Sequence, residues 1–269
     1  MSGSKKVKIL AGRPAVNFVG RTNEIERLFA HSSSASGQDG LSILATPGAG
    51  ASELLRQTYD RLFYEQRDII PFYFAVRPGF RTGREIAESF LTEFIRQLVA
   101  FRRHDPAIVR SAAGLDELAE LSLSVSGIWI DRLINTARYA SDSRTFLRSC
   151  FSGPIRAAAN GDNTFVMIDG LDRLQNVEGG PLIFDELKDV FENSGVRFVF
   201  SGYRRFLHGQ MDCGRLKLDD FKFENAGRLV EVFAKENGVA TTEQTRDLIA
   251  TQLAGNASLT RMLTTKFHH

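Results

Sequence analysis

Four runs of this chain are apolar almost without interruption: LSILAT (residues 41–46), IIPFYFAV (69–76), TFVMIDG (164–170) and RFVFSG (197–202). A strand with one wet face alternates apolar and polar residues, whereas a short continuous run rich in β-branched and aromatic residues suits a strand covered on both faces of a parallel sheet. A weaker fifth run, RLKLDDF (215–221), completes the set. Between the runs the period changes to that of a helix. SELLRQTYDRLFYEQ (52–66) brings Leu54, Leu55, Tyr59 and Leu62 to one face, and GREIAESFLTEFIRQLVAF (83–101) extends the same pattern. Strands alternating with helices predict an α/β fold, a doubly wound parallel sheet flanked by helices.

Two stretches fall outside that alternation. Residues 102–161 form a long, mainly helical excursion before the third run, carrying the only tryptophan, Trp129. After the fifth run, residues 222–269 read as two or more short amphipathic helices, the profile of a small helical lid. The expected division is therefore an N-terminal segment (1–16), an α/β domain (17–221) with its insertion (102–161), and the lid (222–269). HSSSASGQDG (31–40) reads as a flexible loop by composition. The closing FHH (267–269) reads as native sequence or as a tag remnant.

Composition narrows the function classes. At 269 residues, 43% hydrophobic and 25% charged, the chain is long enough to bury a sizeable core. Its 34 basic and 32 acidic residues leave a net charge of +2, too balanced to support a nucleic-acid grip across the whole surface. The short clusters FRRH (101–104) and YRR (203–205) combine aromatic and basic residues, but read as solvated helix ends. Two cysteines far apart, Cys150 and Cys213, point to free thiols in a reducing compartment. The N-terminus makes a poor signal peptide and no run reaches membrane-spanning length, so a cytoplasmic location with no membrane partner is expected. Scattered histidines and the absence of G-x-S-x-G argue against a zinc site and a serine hydrolase.

The junction between the first run and the helix after it carries chemistry. A phosphate-binding loop has the pattern G-x-x-x-x-G-K-[ST] between strand and helix, where backbone N–H groups and the helix N-terminus hold phosphate oxygens. In ATPGAGAS (45–52) Gly50 takes the second glycine position, Ala45 the first, Ala51 that of the lysine and Ser52 that of the metal-binding hydroxyl. Pro47, Gly48, Ala49, Gly50, Ala51 and Ser52 are thus candidate nucleotide-binding residues. The ammonium is missing. An interaction with a charged group contributes roughly 1.5–3 kcal/mol, so its loss predicts affinity weaker by about tenfold to a hundredfold or more. Taken alone, the stretch also suits a glycine-containing turn with no ligand.

A second element repeats the theme. NTFVMIDGLDRL (163–174) is an apolar strand ending at Asp169, with Asp172 three residues on. In phosphate-loop enzymes an aspartate from the strand beside the loop strand reaches magnesium, and a nearby acid or amide positions the attacking water. Asp169 fits the metal role beside Ser52, and Asp172 the catalytic water role.

With these pieces in order, the chain resembles the AAA+ and signal-transducing (STAND) P-loop ATPases. NFVGRTNEIERL (17–28) is similar to their N-terminal box, which implies that Gly20 and Arg21 lie near an adenine. FVMIDGLDRL resembles the second signature of NACHT-like and archaeal-type members. RFVFSGYRR (197–205) resembles their sensor strand, placing Ser201, Arg204 and Arg205 near a γ-phosphate. LAGNASLTRML (253–263) is similar to a lid motif in which Ala257 replaces the usual proline. The resemblance spans about residues 17–263 and implies an ASCE-type P-loop NTPase fold, ATP or ADP with Mg as cofactors, and protein partners or a homo-oligomer. No effector or sensor segment is recognisable, so the chain reads as an isolated or excised module, or one that works with separately encoded partners.

Ala45 and Ala51 depart from the first motif, and Arg173 stands where many NACHT-like members carry another acid. Three functions remain open: a degenerate nucleotide-binding switch or scaffold, an active Mg-dependent ATPase with a substitute cation (Arg21, Arg56, Arg204 or Arg205), and an interaction module that binds no nucleotide.

Overall fold

A computed structural model describes residues 8–34, 38–125, 128–192 and 194–266. In chain order these form α1 (Thr22–Ser33), β1 (Gly40–Ala45), α2 (Ala51–Glu65), β2 (Ile70–Ala75), α3 (Gly83–Arg102), α4 (Pro106–Val109), α5 (Leu115–Ser122), α6 (Ile128–Arg138), α7 (Ser143–Phe151) and α8 (Gly153–Ala159). β3 (Thr164–Asp169), α9 (Gly180–Phe191), β4 (Arg197–Tyr203), α10 (Arg204–Leu207), β5 (Gly214–Leu218), α11 (Phe223–Glu236), α12 (Glu243–Gln252) and α13 (Ala257–Lys266) follow.

The five strands pair in parallel in the order β2-β3-β4-β1-β5. Every residue of β1 and β3 is buried, which is why those runs are mostly apolar. β5 is an edge strand whose exposure alternates, with Leu216 and Leu218 buried and Arg215 and Lys217 exposed. Its weak signal in the sequence is that alternation. β2 is the opposite edge and holds Pro71, a residue without an N–H that central strands rarely tolerate. The open side of β2 is closed by a side chain: Gln97 of α3 accepts from the Tyr73 amide and donates to the Tyr73 carbonyl, both at 2.8 Å. These two bonds satisfy backbone groups that an edge would otherwise leave unpaired.

The register aligns the ends of the strands where the site forms. Ala45 lies beside Tyr203, and Ile168 beside Phe200, so Asp169 is level with Ser201. Ligands of open α/β sheets gather outside these carboxyl ends.

Residues 102–161 build helices that pack onto α3 and α7 on the β2 side of the sheet. Thr82 and Glu85 start α3 with a reciprocal capping box. Much of the phenylalanine content meets here: the Phe90 ring lies 4.9 Å from Phe72, 5.3 Å from Phe74 and 5.1 Å from Phe151. Cys150 and Cys213 are both free and buried. The helices α12 and α13 both pack on α11 at the C-terminal end. Among the described residues, no helix is long and apolar enough to cross a membrane. The N-terminal residues 1–7, residues 35–37 of the loop expected to be flexible, and the terminal FHH lie outside the described residues.

Residues 8–13 dock on α2 through two carboxylates. Asp60 accepts from the amides of Ile9, Leu10 and Ala11 at 2.8–3.3 Å, and Glu53 from those of Gly12 and Arg13 at 3.1–3.3 Å. Burial raises the Asp60 pKa, against the opposing pull of its amide partners.

Because Phe90 ties a β2-flanking helix to three other aromatic rings and is fully buried, Phe90→Ala should destabilise the chain by about 3–5 kcal/mol. Equilibrium urea unfolding checks this; a loss below about 1 kcal/mol would mean that the cluster does not hold α3 to the sheet.

Candidate functional site

The chain leaves β1 at Ala45 and turns into α2 through residues 46–50. The turn needs left-handed backbone at two places, Gly48 (φ +81°) and Gly50 (φ +94°), and glycine adopts that conformation without Cβ strain. Gly50 caps α2 with no side chain of its own. The Ala49 amide bonds the Thr46 carbonyl at 3.1 Å. By contrast, the amides of Gly48, Gly50, Ala51 and Ser52 have no acceptor among the described residues. They gather at a helix N-terminus, where the peptide dipoles leave partial positive charge. Such a donor set suits phosphate oxygens.

Carboxylates stand across from it. Asp169 is buried, accepting from the Ser201 hydroxyl and, at 2.9 Å, from the Tyr73 hydroxyl. The Gly170 amide donates to Ser201 Oγ at 3.4 Å. Burial and the Asp169 charge hold the Tyr73 pKa well above that of an ordinary tyrosine, so its hydroxyl remains a donor. Arg56 Nε donates to the same phenolic oxygen at 3.3 Å. Asp172 accepts from the Tyr203 amide at 3.1 Å. The strand order corrects one expectation: β3, which carries Asp169, is not the neighbour of β1. β4 lies between them and inserts Ser201, so the approach of Asp169 to the loop depends on the alignment of strand ends.

These groups line a cavity of about 410 Å³. Its wall combines polar groups, among them the loop amides, Ser52, Asp169, Asp172 and Ser201, with the apolar side chains of Phe18, Val19, Phe221, Leu229 and Phe233. Two arginines stack on its rings, Arg13 4.3 Å from the Phe233 centroid and Arg21 4.2 Å from that of Phe221.

Of the residues singled out in the sequence, Arg21, Gly48, Ala49, Gly50, Ala51, Ser52, Asp169, Asp172 and Ser201 line this cavity. Gly20, Pro47, Arg204 and Arg205 are outside its wall. Gly20 packs against Asn225 of α11. The Pro47 carbonyl accepts from the Asn256 side chain, and the Arg204 guanidinium is drawn to Asp219. Arg205 is exposed on α10. Arg21 is itself largely engaged: it donates to the carbonyls of Ala49 (3.1 Å) and Asp219 (2.6 Å) and pairs with Glu24. It braces the loop from behind.

Sequence reasoning missed the cavity-lining Arg13, Glu53 and Arg261, and also Tyr73, which reaches Asp169 from β2. Arg13 and Arg261 come from opposite ends of the chain, and no local pattern links them. Only Glu53, beside the loop motif, carried a signal: an acid in the first turn of a predicted helix.

The lid touches the loop directly. Asn256 donates to the Pro47 carbonyl at 2.9 Å and to Asp220 at 3.0 Å, and the Ser258 amide donates to the Gly48 carbonyl at 3.2 Å. A Cβ on Gly48 would sit 2.6 Å from Asn256 Oδ1 and 2.9 Å from Ser258 Cβ.

No protein-family model matches the chain, and no curated protein matches it. Solved structures do. A Walker-type ATPase of Pyrococcus abyssi superposes with a TM-score of 0.50 at 13% identity, covering 96% of this chain and 71% of that one. Domain III of the replication initiation protein DnaA of Thermotoga maritima gives 0.52 at 12%, covering 92% and 83%. The Orc1 protein of Aeropyrum pernix, solved in complex with DNA, gives 0.55 at 15%, covering 93% of this chain and 60% of Orc1. At these identities the likeness is one of fold: the chain has the parallel α/β fold of P-loop ATPases.

Gly48→Ala should cost about 1–2 kcal/mol through the left-handed backbone and should also separate α13 from the loop. Hydrogen exchange in peptides covering residues 253–263 should quicken; unchanged protection there would show that the lid does not rest on Gly48.

Proposed function

We propose that the chain is a degenerate P-loop nucleotide-binding module, a switch or scaffold for a larger protein assembly, that holds ADP or ATP without efficient hydrolysis. One observation carries this reading: unpaired amides at the head of α2 and the Asp169 carboxylate line one cavity whose wall also holds Phe18, Phe221 and Phe233. Phosphates suit the amides and a planar base the aromatic side chains.

Magnesium fits the residues present. Ser52 and Asp169 offer a hydroxyl and a carboxylate in the same wall, and magnesium is commonly held by one or two carboxylates together with substrate phosphates and water. Among the described residues no group of three or more His, Cys, Asp or Glu forms an all-protein cage. When bound, the ion would neutralise phosphate charge. Asp172 lines the same cavity, and its carboxylate would orient a water.

Ala51 replaces the lysine that would neutralise the β- and γ-phosphates, which supports binding weaker than in a complete loop and turnover weaker still. The bonds from Asn256 and Ser258 to the loop carbonyls supply the switch element: a ligand that adjusts the loop shifts the lid with it. Release or docking of the lid would change the surface offered to a partner or a second copy. The net charge of +2 lends no support to carrying over the DNA bound by the Orc1 neighbour.

Calorimetry with ADP and ATP, with and without magnesium, tests the reading. Magnesium-dependent binding with negligible phosphate release is expected, tightened about tenfold or more in Ala51→Lys. Sustained turnover abolished by Asp169→Ala and Asp172→Ala would make the chain an ATPase instead. No binding at millimolar nucleotide would leave an interaction module.

A further inference from the structure

A phosphate site without its lysine still has to balance several negative charges, and the arginines around the cavity differ in how free they are to do so. Arg21 is committed to two backbone carbonyls, Glu24 and the Phe221 ring. Arg204 is held by Asp219 outside the wall, and Arg173 donates to the Val76 carbonyl at 2.6 Å. Arg56 is different. Its Nε donates to Tyr73, its guanidinium carbon lies 5.6 Å from the Tyr73 ring centroid, and its two terminal nitrogens have no hydrogen-bond or ion-pair partner among the described residues.

Helix geometry aims this free fork. Ser52 and Arg56 are four residues apart on α2, so they share one face, and side chains tilt toward the N-terminus of their helix. Arg56 therefore stands one turn behind the Ser52 hydroxyl on the same helix face. Both residues line the cavity. Through Tyr73, Arg56 is also linked to Asp169, two bonds away. Burial lowers the Arg56 pKa, but Tyr73 and, after it, the Asp169 and Glu53 carboxylates outweigh that and hold it above the usual arginine value.

We infer that Arg56 is the cation that binds the terminal phosphates of a nucleoside di- or triphosphate in this chain, replacing from the second turn of α2 the charge that Ala51 lacks. The assignment rests on the nucleotide-binding reading and sharpens it. Tyr73 orients the fork through Nε and leaves the paired terminal nitrogens for phosphate oxygens, a geometry for which guanidinium is well suited.

The test is calorimetric titration of the full chain with Mg·ADP and with adenosine, in wild type, Arg56→Ala, Arg56→Gln, Arg56→Lys, Arg56→Ala/Ala51→Lys and the control Arg61→Ala. Arg61 lies on the same helix but pairs with Glu26 and Glu65 away from the cavity. Arg56→Ala and Arg56→Gln should weaken Mg·ADP by about tenfold to a hundredfold and leave adenosine affinity unchanged. Lysine at 56, or at 51 in the double variant, should restore much of the loss. Arg61→Ala should bind Mg·ADP like wild type, a readout that separates a phosphate contact from a general loss of charge or of fold. Wild-type or tighter Mg·ADP binding by both Arg56→Ala and Arg56→Gln overturns the assignment alone. Absence of Mg·ADP binding by the wild-type chain overturns the nucleotide reading and the assignment together.

Discussion

The left-handed backbone at Gly48 and Gly50 is the constraint on which the site depends. It turns the chain from a buried strand into α2 within five residues, and it leaves a set of amides without partners at the helix head. A side chain at either position would strain that turn, and at Gly48 it would also meet the lid. The buried guanidinium of Arg21 fixes the outer side of the same turn, joining the Ala49 carbonyl to the end of β5 at Asp219. Loop shape is therefore set by tertiary contacts from α1, β5 and α13 together, and not by the local sequence alone.

The carboxylate opposite the loop is held just as firmly, but by polar contacts. Asp169 satisfies its oxygens with Ser201 from β4 and Tyr73 from β2, one on each neighbouring strand. Tyr73 is positioned in turn by Gln97, which closes the edge of the sheet at that residue. The same two bonds thus finish an open edge and seat a group that reaches Asp169. A buried polar group is costly to leave unpaired.

Much of this was legible in the chain before any coordinates. Runs such as residues 41–46 and 164–169 are apolar because both sheet faces are covered, and that is a local property. The glycines at 48 and 50 and Ser52 follow from their spacing around a strand-to-helix turn, and Asp169 from its place at the end of a second apolar strand. What escaped depends on residues far apart in sequence. Tyr73 meets Asp169 across 96 positions, and Arg13 and Arg261 approach from the two ends of the chain. The interposed β4 was missed because strand order is a topological fact that no single segment records. Arg204 and Arg205 looked well placed by motif, yet the first is drawn away by Asp219 and the second points to solvent.

The most direct measurement is a crystal structure of the chain grown with ADP and magnesium. The diphosphate should lie against the amides of Gly50, Ala51 and Ser52, with the base between Phe221 and Phe233 and magnesium near Ser52 and Asp169. ADP bound elsewhere on the molecule, or a cavity that stays empty at saturating nucleotide, would contradict the central claim that this turn is a phosphate cradle.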